Sequence, residues 1–213
     1  MPVQPGLNSL SKAVKEAKEK NIDCLFLENG VHDEEGEEVV IDFALNVVGQ
    51  NKDDVKIRAG LVIKGKKEED VFFTDLTVTG AKENGVYGMQ GASMHLRNVC
   101  VEKCGGSGVF VWSTKRNTMT DCNVNNNKLS GVQMHIVCII DIYVYEGRLI
   151  IDGSETTIHH NVTGGDSDSY GLETSYNSSI HLKSLTKESI STNNGGGGNY
   201  NGDGEYDGTI KTI

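Results

Sequence analysis

GVYGMQGASMHLRNVCVEKCGGSGVFVWST, residues 85–114, opens with Gly-Val, repeats Gly-Val at 108 and 109, and is followed by the same pair at Gly131 and Val132. Each interval is 23 residues. Other columns keep the same step: Phe73, Leu96 and Met119; Leu76, Val99 and Cys122; Val78, Val101 and Val124. Read backwards, Val40, Ile63, Val86, Val109 and Val132 continue one apolar column. A fixed period of this size is the mark of a repeat architecture. Within one period the pattern alternates, as in Leu76-Thr-Val, Val99-Cys-Val and Cys122-Asn-Val, which is the spacing of a strand with one face inward. The period has no helical spacing, so it predicts a parallel β-solenoid with about 23 residues per coil, like residues stacking on like about 4.8 Å apart along the axis.

The turns between strands are the work of Gly and Asn, since both prolines fall by position 5 and Gly reaches 26. Asp75, Asn98 and Asp121 recur at one bend, where a left-handed conformation suits Asp and Asn; a structural turn ladder is expected there rather than a catalytic row. A solenoid end must be covered to prevent edge pairing. Residues 8–20, NSLSKAVKEAKEK, place Leu10, Ala13, Val14 and Ala17 on one helical face, with Asn8 or Ser9 to cap the start. The expected organisation is therefore an N-terminal segment and capping helix over 1–22, a β-helix over 23–194, and a loose Gly-rich tail over 195–213 with room for one last strand. Between 134 and 147 the period fails; the run around 136–145 is expected to form a longer coil with an exposed tyrosine pair, or a contact between copies of the chain.

The net charge is −10, from 20 Lys and Arg against 30 Asp and Glu, which repels a phosphate backbone and argues against nucleic-acid binding. No apolar run is long enough to span a membrane and no signal-peptide pattern opens the chain, so a soluble, cytoplasmic or otherwise intracellular protein is expected. Five cysteines at 24, 100, 104, 122 and 138 form neither a paired metal set nor an even disulfide framework, and reduced thiols fit them best. Asn161-Val-Thr and Asn177-Ser-Ser have the form of glycosylation sequons but occur often by chance.

The helix, the run CLFLENG at 24–30, the step LNVVGQ at 45–50 and the coils VFFTDLTVTGAKENGV, MHLRNVCVEKCGGSGV and TMTDCNVNNNKLSGV resemble the pectin-lyase-like right-handed parallel β-helix superfamily. More narrowly, they are similar to the β-helix repeats found in carbohydrate-active proteins and in certain eukaryotic scaffold proteins. The resemblance covers residues 7–135 closely and 147–194 more loosely. It implies an all-β, single-stranded right-handed parallel β-helix with three strands per coil. It also implies that enzymes of this kind act on acidic polysaccharides from one outer sheet. Their signatures are missing: there is no Asp-Pro-His, no Asp-Asp with Gly-His-Gly, and no Arg-x-Pro-x-x-Arg, and Tyr170-Gly-Leu-Glu only echoes the epimerase Tyr-Gly-Phe-Asp.

Two sets of residues compete for function. If Val86, Val109 and Val132 point inward, Tyr87 and Phe110 point outward with Gln133 next and Trp112 nearby, making a platform for sugar rings or for an apolar partner, unless a loop covers them or Trp112 turns inward. This supports a non-catalytic binding or scaffold protein that recognises a carbohydrate or protein partner. The alternative is a polysaccharide lyase or C5-epimerase. In TIHHNVTGGDSDSYGLETS, His160 and Tyr170 would act as base and acid with Asp168 beside them, in a cluster that also holds His159, Asp166 and Glu173. No cofactor is expected; Ca2+ held by Asp166 and Asp168, or by Asp203 and Asp207, is the one metal reading, against a plain acidic loop. His95, His135 and His181 read as isolated, solvent-facing positions, and unrepeated Thr77-Val-Thr excludes the regular threonine rows of an ice-binding face.

Overall fold

The computed structural model describes residues 1–89, 91–135, 147–175, 178–201 and 208–213. The segment 136–145, read above as a longer coil with an exposed tyrosine pair or as a contact between copies, lies outside them, as do Cys138, Asn177, Asp203 and Asp207.

Among the described residues every strand pairing is parallel, and the apolar columns are the reason. Phe73 lies opposite Leu96 and Leu96 opposite Met119, and all three are buried. Leu76 and Val99 likewise share a register, as do Val78, Val101 and Val124. The chain thus winds as a solenoid of about 7 turns with about 25 residues each. Three faces surround one core. The long strands Val71–Thr79 and Met94–Glu102 each serve two faces, bending where Asp75 and Asn98 take φ of 55° and 51°. Asp121 follows at 52°, and Asn98 Nδ2 donates to Asp75 Oδ1 at 2.6 Å, so the ladder of turns is built by side chains as well as backbone. The third face consists of Leu61 to Lys64 in the strand Val55–Lys64, then Val86–Met89, Val109–Trp112, Val132–His135, Tyr170–Thr174 and Gly198–Tyr200.

Two expectations need correction, the apolar column before Val86 and the tail. The column from Val132 back to Val86 holds, but Val86 pairs with Leu61 rather than Ile63, and Leu61 with Val39 rather than Val40. Val40 instead faces outward at 39 % exposure. Gly85, Gly108 and Gly131 do not supply positive φ. They are glycine because coils approach closely: a Cβ on Gly108 would sit 2.5 Å from Val124 Cγ1 and 2.8 Å from Gly131 O. Nor is the described part of 195–213 a loose tail, since Gly198–Tyr200 pairs with Tyr170–Thr174 and Thr209–Thr212 with Ser179–Leu182.

The helix Ser9–Lys20 buries Leu10, Ala13, Val14 and Ala17 over the first coil. Its start is not capped by Asn8, whose side chain makes no cap bond, nor by Ser9, whose hydroxyl meets His32 Nδ1 at 2.9 Å. Glu34 Oε1 does the work from a neighbouring coil, accepting from Leu10 N at 2.8 Å and Ser11 N at 3.2 Å. Beyond the strict repeat, an asparagine ladder joins longer coils. Asn127 Nδ2 donates to Asn161 Oδ1 at 2.9 Å, and Asn161 Nδ2 to Asn194 Oδ1 at 3.0 Å. Asn161 is 1 % exposed, so its sequon lies in the wall of the solenoid and offers no acceptor for a glycan.

Candidate binding face

On the third face, alternation sends every second side chain outward, and the register lines these up along the axis. Val62 lies opposite Tyr87, Tyr87 opposite Phe110, Phe110 opposite Gln133, and Gln133 opposite Glu173. A parallel outward column holds Lys64, Met89, Trp112 and His135. Tyr87, Phe110 and Trp112 are each half-buried, so none has turned into the core.

The rings form one stack. Tyr87 and Phe110 are parallel within 10° with centroids 5.0 Å apart, and Tyr87 and Trp112 within 8° at 6.2 Å. Parallel carbon faces touch at about 3.5–4.0 Å. At 5.0 Å the Tyr87 and Phe110 rings stand near the spacing of successive strands, about 4.8 Å, rather than in close face contact, and each keeps part of its surface exposed. Burial, reinforced by the charge of Glu38, pushes the Tyr87 phenol up to about 12, so it remains a neutral hydroxyl.

Past Phe110 the stripe becomes polar. Gln133 accepts from Ser107 Oγ at 3.0 Å and donates through Nε2 to Glu173 Oε1 at 2.9 Å. The other oxygen of Glu173 accepts from Ser130 Oγ, which is itself fixed by the Tyr170 backbone N–H at 3.0 Å. Glu173 is only 9 % exposed. Burial drives its carboxyl above the ordinary range; bonds from Ser130 and Gln133 oppose this, and the charges of Asp166 and Asp168 add to it. Among the described residues no Lys, Arg or His forms an ion pair with it. Sequence reading had put Glu173 in the His160 cluster; its place beside Gln133 was hidden because the two are 40 residues apart.

The proposed catalytic residues are arranged differently. His160 occupies a turn at φ 53° and its Nδ1 meets His159 Nδ1 at 2.8 Å. Tyr170 begins a third-face strand, opposite Gly198. Asp168 lies on an exposed loop where its backbone N–H bonds Asp166 Oδ1 at 3.0 Å, while Ser169 Oγ bonds Asp166 Oδ2 at 3.2 Å. No hydrogen bond joins His160, Tyr170 and Asp168 among the described residues. The Asp166 carboxylate is thus engaged within its own turn, and among the described residues no group of three or more His, Cys, Asp or Glu is placed to hold a metal. Cys24, Cys100, Cys104 and Cys122 are free thiols; burial pushes Cys104 and Cys122 up to about 11, leaving them unreactive.

A second cluster escaped the sequence reading, which took His95 as isolated. The His95 ring stacks on Phe72 at 4.4 Å, bonds Thr118 Oγ1 through Nδ1 at 2.9 Å, and meets Asp70 Oδ2 through Nε2 at 3.4 Å. Arg116 clamps both oxygens of Asp70 at 2.7 Å, bridging two coils. The signal was present in outline, because His95 and Thr118 are one 23-residue period apart.

Parallel coils, one continuous core and a helical cover define a β-solenoid. The family model described as a right handed beta helix region matches residues 22–207, and the chain belongs to that family, which fixes the winding as right-handed. Among curated proteins and among solved structures, nothing matches the chain. No helix among the described residues is long and apolar enough to cross a membrane.

Proposed function

We propose that this protein is a non-catalytic binding scaffold whose third face recognises a carbohydrate. The observation that carries the reading is the half-exposed stack of Tyr87, Phe110 and Trp112 running in register into the Gln133 and Glu173 pair. Partly exposed aromatic rings accept the C–H groups of pyranose rings, and a fixed amide and carboxyl in the same column accept from and donate to hydroxyl groups. Both kinds of contact sit on rigid strands, so little ordering cost is left for binding. A protein partner's apolar surface is the other ligand such a stripe fits, and pull-down in the same assay separates the two. The lyase or epimerase reading gains no geometric support from His160, Tyr170 and Asp168, which lie on a turn, a strand start and a loop.

The test is a glycan array read with the unaltered protein, Tyr87→Ala and Phe110→Ala, with thermal melts to confirm folding. Glycan signals that weaken in both folded variants support the reading. Signals unchanged in both variants, or turnover of alginate or pectin lost in His160→Ala, would overturn it.

A further inference from the structure

Glu173 is a nearly buried carboxyl on a binding face, held by two neutral donors and, among the described residues, by no cation. Every Lys, Arg and His of the chain lies within those residues, so the chain brings no positive group to it by ion pairing. Each oxygen accepts a single bond from Ser130 or Gln133 and keeps a second lone pair. A lone carboxylate in a low-dielectric setting is costly, and a cation that reaches it is favoured more than it would be in water.

From this geometry we infer that the ligand is an amine-bearing glycan, of the poly-glucosamine type, whose ammonium group pairs with Glu173 while neighbouring sugar rings lie on Phe110 and Tyr87. The inference rests on the carbohydrate-binding reading above and narrows it. Three observations agree on the sign of the ligand's charge. Asp166 and Asp168 act on Glu173 from the adjoining loop and add negative potential. The chain as a whole carries −10, which disfavours the uronic-acid polymers implied by the family resemblance. The aromatic stack, two strand steps from the carboxyl across Gln133, favours the further ammonium groups of the same oligomer through the negative faces of its rings. Gln133 adds selectivity: its carbonyl is fixed by Ser107 and one amide hydrogen by Glu173, leaving one hydrogen and one lone pair for a sugar hydroxyl.

The experiment compares a β-1,4-linked glucosamine oligomer with the N-acetylated oligomer of the same length by calorimetry, below the pKa of the amine. Acetylation removes the charge on the ligand and leaves the protein unaltered, so the test stands even if a variant folds poorly. A preference of about tenfold to a hundredfold for the amine form is expected, the worth of one charged hydrogen-bonded contact. That ratio should collapse toward one in Glu173→Gln. Equal affinity for the two oligomers, or a preference that survives in folded Glu173→Gln, overturns the inference. If Tyr87→Ala still weakens both oligomers in that case, the carbohydrate-binding reading stands without it. Binding of neither oligomer together with a blank array overturns both.

Discussion

The coils between Val71 and His135 and those from Gly147 onward are built on the same face-to-face register, yet they announce it differently. In the first group successive partners are 23 residues apart, as with Val86, Val109 and Val132, and aliphatic side chains fill the columns. In the second, inter-coil partners such as Asn127 and Asn161 are 34 residues apart, and Gln133 and Glu173 are 40 apart, while strand still lies on strand. The described strands keep their register although the spacing in sequence has grown. The lesson is that register is held by the strands and the wall ladders even where the spacing in sequence changes.

The sharpest way to break that contrast is insertion. Four glycines placed between Asn98 and Val99, at a bend made by a single left-handed residue, should abolish cooperative unfolding, because the apolar columns on the two sides can no longer align. The same insertion between Gly165 and Asp166 falls in an open loop, lengthens it by less than a doubling, and should cost under about 0.6 kcal/mol. Urea melts of the two variants decide it; similar losses would remove the distinction between turns and strands.

Core truncation comes next. Leu96→Ala leaves a cavity between Phe73 and Met119 and should cost about 2–5 kcal/mol. Ile180→Ala lies between Leu149 and Ile210, the latter partly open to solvent at 7 %, and should fall at the lower end of that range. Asn161→Ala is expected to follow at about 1–3 kcal/mol, since it strips a bond from the buried backbone of Asn127 and from Val124 O. Asn98→Gly, which keeps the positive φ, should change the melting temperature least of the substitutions at that bend, with Asn98→Ala losing about 1–2 kcal/mol.

How much of this was legible follows from particular residues. The 23-residue columns could be read because Asp75, Asn98 and Asp121 each make a bend with one residue, leaving no room for variation. The phase slipped before Val86 because Val39, Val40 and Ile41, and Leu61, Val62 and Ile63, are apolar at both parities, so alternation could not say which side faced inward. The coil steps there, 22 residues from Val39 to Leu61 and 25 from Leu61 to Val86, disguised the true column further. At the binding face, Tyr87, Phe110, Trp112 and Gln133 were visible as outward neighbours of a regular column. Glu173 was not, since no period carries 133 to 173.

The smallest expected effect concerns that same residue and the pH at which the two regions are compared. The folded chain holds the Glu173 proton more tightly than the unfolded chain does, because burial raises the carboxyl. Stability should therefore fall as pH rises from the ordinary carboxylate range through the raised value, then level off once both states have lost the proton. Glu173→Gln should lack this component, so the gap between its melting temperature and that of the unaltered protein should widen in its favour across the window. A gap independent of pH would mean that the carboxyl titrates alike in both states.

The Glu34 carboxylate that closes the start of the helix belongs to a strand synthesised after it. A helix of 12 residues is marginal by itself, and this one lacks a cap of its own. The helix is therefore finished late: on a ribosome the chain must lay down the winding that follows it, with Glu34 in place, before the start of the helix can be sealed.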